Sequence, residues 1–379
     1  MTQSDDVRFM RVALALARKG VGDTSPNPAV GAVVVRAGKI VGRGYHRRAG
    51  LAHAEVDALR QAGAAARRAT LYVTLEPCNH TGKTPPCCDA VLAAGVSRVV
   101  VGTRDPNPVT NGRGLARLRR FGVDVRVGVL EDEARRLNRP FAKYITTKRP
   151  WVIAKLAQSL DGKIATRTGS SRWISSEPAR AMTHRLRREA DAIVVGINTV
   201  LRDDPLLTVR DAGRPVRKGR PIKVIVDSRL RVPVASRCFS PASSAPSIVA
   251  TTVRASAKRA SLERRGVRVL TLPAVRGRVP LAKLFKLLAK QHQVTSILLE
   301  GGGELMAGAL KERLVDRIVW YIAPMILGGR HSPSSVAGAG IDHLKDAIRL
   351  EGLTVQRLGP DLVVEAAVKY PARVAAREA

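Results

Sequence analysis

The segment TLEPCNHTGKTPPCC, residues 74–88, holds three of the four cysteines of this 379-residue chain, and HAE stands upstream of it at 53–55. Clustered thiols in a reducing cytosol bind metals or catalyse rather than pair as disulfides. His53, Cys78 and Cys87 offer one imidazole and two thiolates, three protein ligands that leave the fourth position of a zinc ion to water. That set constrains the fold more than any other feature. The start of a helix read at AEVDALRQAG, the end of a strand read at TLYVTL and the start of a helix read at CDAVLAAG must converge on one point. Zinc brings the pKa of its water towards neutrality, and Glu55, two residues past His53, is placed to move a proton from that water to a departing amine. HxE followed by PC and a second Cys is the pattern of zinc nucleobase deaminases, where the cysteines are normally spaced PCxxC. Here eight residues separate Cys78 from Cys87. A structural zinc site closed by His80 or Cys88 is the alternative; Glu55 argues against it, and Cys88 is expected in the core.

Short Val-rich runs alternate with segments of helical spacing throughout, the pattern of an α/β protein. The length fits two domains. Pro150 cannot continue the helical stretch that ends near Thr146, so the expected boundary lies near 147, giving domains 1–147 and 148–379. Hydrophobic residues make up 45% of the chain and aromatics only 3%, so Val, Ile, Leu and Ala must fill the cores. No apolar run approaches the roughly 20 residues of a membrane span, and the N-terminus lacks the features of a secretory signal. A soluble cytoplasmic protein with no membrane partner is expected. Lys and Arg number 65 against 31 Asp and Glu, a net charge of +34. Such a field attracts phosphates of any kind. The basic residues are spread along the chain without the aromatic interleaving of single-strand stacking platforms, so a nucleic-acid partner is not expected.

Four motifs occur in order: PNPAVGAVVV at 26–35, HAEVDAL at 53–59, CNHTGKTPPC at 78–87 and DPNPVTNGRG at 105–114. With them, the sequence resembles over essentially its whole length the bifunctional deaminase-reductase family of riboflavin biosynthesis, whose deaminase half carries CxHxGKTPPC between its two cysteine ligands. The resemblance implies a cytidine-deaminase-like three-layer α/β/α domain followed by a dihydrofolate-reductase-like α/β domain. It implies one zinc ion in the first half, and a pocket for a phosphorylated pyrimidine lined by Asn27, His46, Lys83, Thr84, Asp105 and Asn107. A homo-oligomer is the expected assembly.

In the second half the resemblance rests on KLAQSLDGKIA at 155–165, SRWISS at 171–176, INTVLRDDPLLTVR at 197–210, VDSRLRVP at 226–233 and SILLEGGGELMAGAL at 296–310. By itself the glycine run is only a tight turn between strand and helix; GxGxxG is absent. By position in the family, Ala157, Trp173, Thr199, Asp203, Ser228 and the run Gly302 to Gly308 would contact NADPH. Ser171, Arg187, Leu207, Arg210 and Glu300 would contact the substrate. Arg187 and Arg210 suit bidentate binding of a sugar phosphate, and Ser228 with Arg229 or Arg231 suits the phosphate that separates NADPH from NADH. Hydride addition to an imine or open-chain aldehyde carbon needs a proton donor at the neighbouring heteroatom. Lys155, Asp203 and Glu300 are the ionisable candidates, and sequence leaves the choice open.

Overall fold

The computed structural model describes residues 2–82, 84–210, 221–240 and 245–372. Two compact units meet between Arg149 and Pro150. In the first, the elements are Gln3–Arg18 (α1), Gly31–Arg36 (β1), Lys39–Tyr45 (β2), Ala54–Ala62 (α2), Thr70–Leu75 (β3), Cys87–Ala93 (α3), Arg98–Thr103 (β4), Arg113–Arg120 (α4), Asp124–Val127 (β5), Glu131–Leu137 (α5) and Arg139–Thr147 (α6). The sheet order is β2-β1-β3-β4-β5. β1 runs antiparallel to β2 and β3, and β3, β4 and β5 are mutually parallel.

Both faces of this sheet are covered, which is why its strands read as near-continuous apolar runs. Ala32 and Val34 of β1 pack with Leu71, Val73, Ala58 of α2, Val91 of α3 and Leu118 of α4. Val33 and Val35 point the other way, to Phe9, Met10 and Leu14 of α1 with Tyr72 and Val100. The result is the three-layer α/β/α arrangement. One position in α1 departs from its apolar stripe: Asp6 is fully buried. Its carboxylate accepts hydrogen bonds from the Tyr72 hydroxyl at 2.8 Å, Arg98 Nη1 at 3.0 Å and Arg126 Nη1 at 2.8 Å. Close packing of α2 on β2 depends on Gly44, where a Cβ would lie 2.2 Å from the Ala54 carbonyl oxygen at the first turn of α2. That contact holds the HAE segment down on the sheet.

The second unit contains Trp151–Ser159 (β6), Glu177–Glu189 (α7), Ala192–Gly196 (β7), Ile197–Asp203 (α8), Ile222–Val226 (β8), Ser247–Thr251 (β9), Ala257–Arg264 (α9), Arg268–Thr271 (β10), Leu281–His292 (α10), Ser296–Glu300 (β11), Gly303–Lys311 (α11), Arg317–Ala323 (β12), Arg349–Leu358 (β13) and Asp361–Lys369 (β14). Its sheet runs β10-β9-β8-β7-β11-β6-β12-β14-β13. All pairings are parallel up to β12; β14 and β13 close that edge antiparallel. Leu284, Phe285 and Leu288 of α10 cover one face with Val194 and Leu299, while Ile193, Val195, Ile225 and Val249 pack on the other with Leu262 of α9. This is the dihydrofolate-reductase-like α/β domain.

Candidate functional site

In the first unit α2 begins at the HAE motif. His53 is its N-cap residue, with extended backbone and no side-chain capping bond, so its ring is free to turn away from the helix. Its Nδ1 lies 3.0 Å from Cys87 Sγ and 3.6 Å from Cys78 Sγ, and the three ligating atoms lie within 4.8 Å of one another. Tetrahedral zinc with Zn–S about 2.3 Å and Zn–N about 2.0–2.1 Å separates N and S ligands by about 3.6 Å. The donor set and spacing therefore fit zinc. Thr84 Oγ1 lies 3.3 Å from the other ring nitrogen, Nε2. Hydrogen bonds from Cys87 hold the Cys78 thiol well below its usual range, and the paired Cys87 thiol is correspondingly raised. Glu55 is buried beside these three; burial pushes its carboxyl up to about 7 against the opposing pull of the His53 ring. Cys88 is fully buried among Leu115, Leu118 and Val91, away from the ligand set, as expected of a core thiol.

Around this centre the predicted pocket residues divide. His46 is buried, and both its nitrogens are used: Nδ1 meets the Ala52 carbonyl at 3.1 Å and Nε2 meets Asn27 Nδ2 at 3.1 Å. Its ring stands edge-on to His53 at 5.2 Å. His46 therefore orients Asn27 and packs on a metal ligand, rather than offering a free polar atom of its own. Asp105 is buried, its Oδ1 accepting the Asn107 N–H at 2.9 Å, and burial pushes its carboxyl up to about 6. Asn107 Oδ1 accepts the N–H of Val109 at 3.2 Å. Lys83 lies outside the described residues.

In the second unit a cavity of about 640 Å³ opens at the carboxyl ends of β6, β7 and β11, the place where open parallel sheets bind ligands. Lys155 and Ala157 reach it from β6, Thr199 and Asp203 from α8, Arg187 from α7, and Glu300 with Gly301 and Gly302 from the end of β11. Ser171, Trp173, Leu207 and Arg210 complete the set of predicted residues found on its wall. Gly301 has φ of +91° and its missing Cβ would lie 2.6 Å from Thr199 Oγ1, so only glycine lets the strand end come this close to α8. This cradle of bare backbone fits the approach of a dinucleotide.

The other members of the glycine run lie off the cavity wall. Gly303 starts α11 with its Cα against the Ser334 carbonyl, Leu305 and Met306 are buried in the apolar core, and Gly308 faces Leu281. Glu304 pairs with Arg278 at 2.9 Å, and Ala307 packs near Gly338. Ser228 stands at the end of β8 and does not line the cavity; its Oγ accepts the Val279 N–H at 3.0 Å.

Arg187 lies on the cavity wall, and its fork faces a carboxylate. Arg187 Nε and Nη2 bond the two oxygens of Glu300 at 2.7 and 2.8 Å, and Nη1 bonds the Thr208 carbonyl at 3.0 Å. That fork ties the end of β11 to α7. Burial raises the Glu300 pKa, but the charge and hydrogen bonds of Arg187 outweigh it and keep the group below the usual carboxylate range. Lys155 moves downward, because burial costs its ammonium solvation more than Glu300 returns. Asp203 accepts a hydrogen bond from Ser171 Oγ at 3.1 Å.

Residues 3–103 match the family described as the cytidine and deoxycytidylate deaminase zinc-binding region, and residues 150–364 match the RibD C-terminal domain. The riboflavin biosynthesis protein RibD of Aquifex aeolicus is 47% identical over 96% of this chain and 99% of its own. The chain belongs to the RibD family. RibD of Acinetobacter baumannii superposes with a TM-score of 0.86 at 36% identity, over 97% of this chain and 100% of that one. The solved diaminohydroxyphosphoribosylaminopyrimidine deaminase/5-amino-6-(5-phosphoribosylamino)uracil reductase of Thermotoga maritima gives 0.84 at 34% identity, covering 98% and 99%.

Several residues of this cavity were not singled out from the sequence. Arg180, Thr183 and His184 line it together with Arg187, and their spacing in EPARAMTHRLRRE puts all four on one face of α7. That stripe was the available signal. Arg180 lies over the Trp173 ring at 4.6 Å, and His184 Nδ1 accepts the Arg210 N–H at 3.2 Å. Arg172, Arg202 and Arg237 also reach the cavity, leaving its wall strongly basic.

Proposed function

We propose that the first unit deaminates the diaminohydroxyphosphoribosylaminopyrimidine and that the second reduces the resulting 5-amino-6-(5-phosphoribosylamino)uracil with NADPH, converting its ribosyl chain to ribityl. The observation that carries the reading is the convergence of His53, Cys78 and Cys87 with a buried carboxylic acid, Glu55, beside them. Zinc, when held by those three ligands, is the Lewis acid that makes water a nucleophile near neutral pH. Glu55 takes a proton from the attacking water and delivers it to the leaving amino group, so that a C–O bond forms as the C–N bond breaks and ammonia departs. Asn27, held by His46, and the Asp105–Asn107 turn orient the pyrimidine, with Thr84 beside the metal ligand and Lys83 as a phosphate or carbonyl contact.

In the second unit NADPH, when bound over Ala157, Thr199 and the Gly301–Gly302 turn, supplies the hydride. Lys155 provides the proton to the heteroatom next to the reduced carbon, because its lowered pKa makes it a better acid than an ordinary lysine. Glu300, fixed as a carboxylate by Arg187, orients Lys155 and the sugar instead of giving up a proton. Arg210, which lines the same cavity as Arg187, offers the sugar phosphate a fork that Glu300 does not occupy. Ser228 acts through the turn it buttresses, with Arg229 and Arg231 exposed there for the adenosine phosphate. Homo-oligomeric assembly is part of the same proposal, supported by Leu350, Leu353 and Val355 exposed on the edge strand β13.

The test is Glu55→Gln in the full chain. It should bind zinc at the wild-type stoichiometry, lose deamination by about 10²-fold or more, and oxidise NADPH normally when given deaminated substrate. Loss of both activities together would contradict two independent sites.

A further inference from the structure

The carboxylate of Glu76, two residues before Cys78, is buried, and the mechanism above makes no use of it. Its hydrogen-bond partners are main-chain amides rather than cations. Oε2 accepts the N–H groups of Asp105 at 3.2 Å and Gly112 at 2.9 Å; Oε1 accepts those of Gly114 at 3.0 Å and Leu115 at 3.3 Å. Gly112 is the N-cap of α4, has φ of +86° and has no side chain to cap the helix. Glu76 supplies that cap from another part of the chain, and a carboxylate at a helix N-terminus is favoured by the helix dipole as well as by the amides. The approach is close enough that a Cβ on Gly114 would lie 2.2 Å from the Pro77 carbonyl. Arg117 Nη1 adds a second tie, to Asn79 Oδ1 at 2.9 Å.

We propose that Glu76 is a positioning residue for deamination. Its two oxygens lock the 105–115 segment, and with it Asp105 and Asn107, in register with the strand end that leads into Cys78. The inference rests on the reading of the first unit as a deaminase. One side chain thereby fixes the distance between the substrate-binding turn and the metal ligands. The geometry also says how it fails. In Glu76→Gln one oxygen becomes an NH₂ group that meets two N–H donors, so either the pair at 105 and 112 or the pair at 114 and 115 is released. Glu76→Asp keeps the charge but is one methylene too short to hold both pairs.

The experiment uses the full chain, reading zinc content, deaminase kcat and KM, and NADPH oxidation on deaminated substrate. Glu76→Gln should keep its zinc and its reductase rate, and raise the deaminase KM about tenfold with a much smaller change in kcat. Asp105→Asn should raise KM in the wild-type background and add little in Glu76→Gln, since coupled positions are non-additive. If Glu76→Gln does not fold, Glu76→Asp decides by the same readouts. Unchanged KM, full additivity with Asp105→Asn, or loss of zinc from the variant that folds would each overturn the proposal. A wild-type protein that does not deaminate the pyrimidine would instead remove the reading on which it rests.

Discussion

At the scale of single residues, the second unit turns on three charges in one place. Lys155 Nζ lies 5.2 Å from the Tyr321 ring centroid, and Glu300 is held by the fork of Arg187. Because a lysine can donate a proton only while protonated, reduction should fall as pH rises through the Lys155 pKa. That pKa is lowered from 10.5, chiefly by burial, so the alkaline limb of kcat should lie below the range of an ordinary lysine. Lys155→Arg, which stays charged, should reduce poorly and lack that limb; an unchanged pH profile in the variant would assign the proton to another group. The sequence made Lys155, Asp203 and Glu300 equivalent because it shows charges but not their partners. The partner of Arg187 was hidden for the same reason: a guanidinium suited to phosphate is equally suited to a carboxylate, and the carboxylate is 113 positions away.

At the scale of elements, α1 is fixed to the first sheet by an acid that its apolar stripe does not predict. Asp6 takes hydrogen bonds from Tyr72, Arg98 and Arg126. Asp6→Ala removes the one buried acceptor that Tyr72, Arg98 and Arg126 share, so the expected cost is about 2 kcal/mol, read as a lower urea midpoint for the first unit. A variant as stable as the wild type would show the network to be neutral. Elements buried on both faces were legible: β1, β3, β4, β7, β8 and β11 all stand where Val-rich runs placed them. The short strands β9 and β10 and the hairpin of β13 and β14 were not. β13 is exposed along nearly its whole length, so no alternation marks it, and its pairing with β14 is set by the edge of the sheet. DAGRPVRKGR at 211–220 and SPASSAPS at 240–247, which their Gly, Pro and Ser content marks as loops, fall largely outside the residues that the structure describes. For α7 the information was present as the 180, 183, 184, 187 stripe, yet arginines at helical spacing look the same on a solvated face as on a cavity wall.

At the scale of the whole molecule, two α/β units each set their functional groups where strands end and helices begin. In the first, β3 and the starts of α2 and α3 bring a histidine and two cysteines together; in the second, β6, β7 and β11 end at a basic cavity. The metal set was readable because donor type and spacing restrict it chemically, whereas the cavity wall is assembled from segments whose proximity only the sheet order defines. Among the described residues no helix is long and apolar enough to cross a membrane. The net charge of +34 gathers in part on the cavity wall, a sign that suits the anionic substrate and NADPH of the proposed reduction. The central claim is that one chain performs deamination and then reduction. It is tested most directly by giving the purified protein the diaminopyrimidine with and without NADPH and identifying the products by mass. The aminouracil with its ribosyl chain intact is expected when NADPH is absent, and the ribityl compound when it is present. Release of no ammonia without NADPH, or a reduced product that still carries the second amino group, would contradict it.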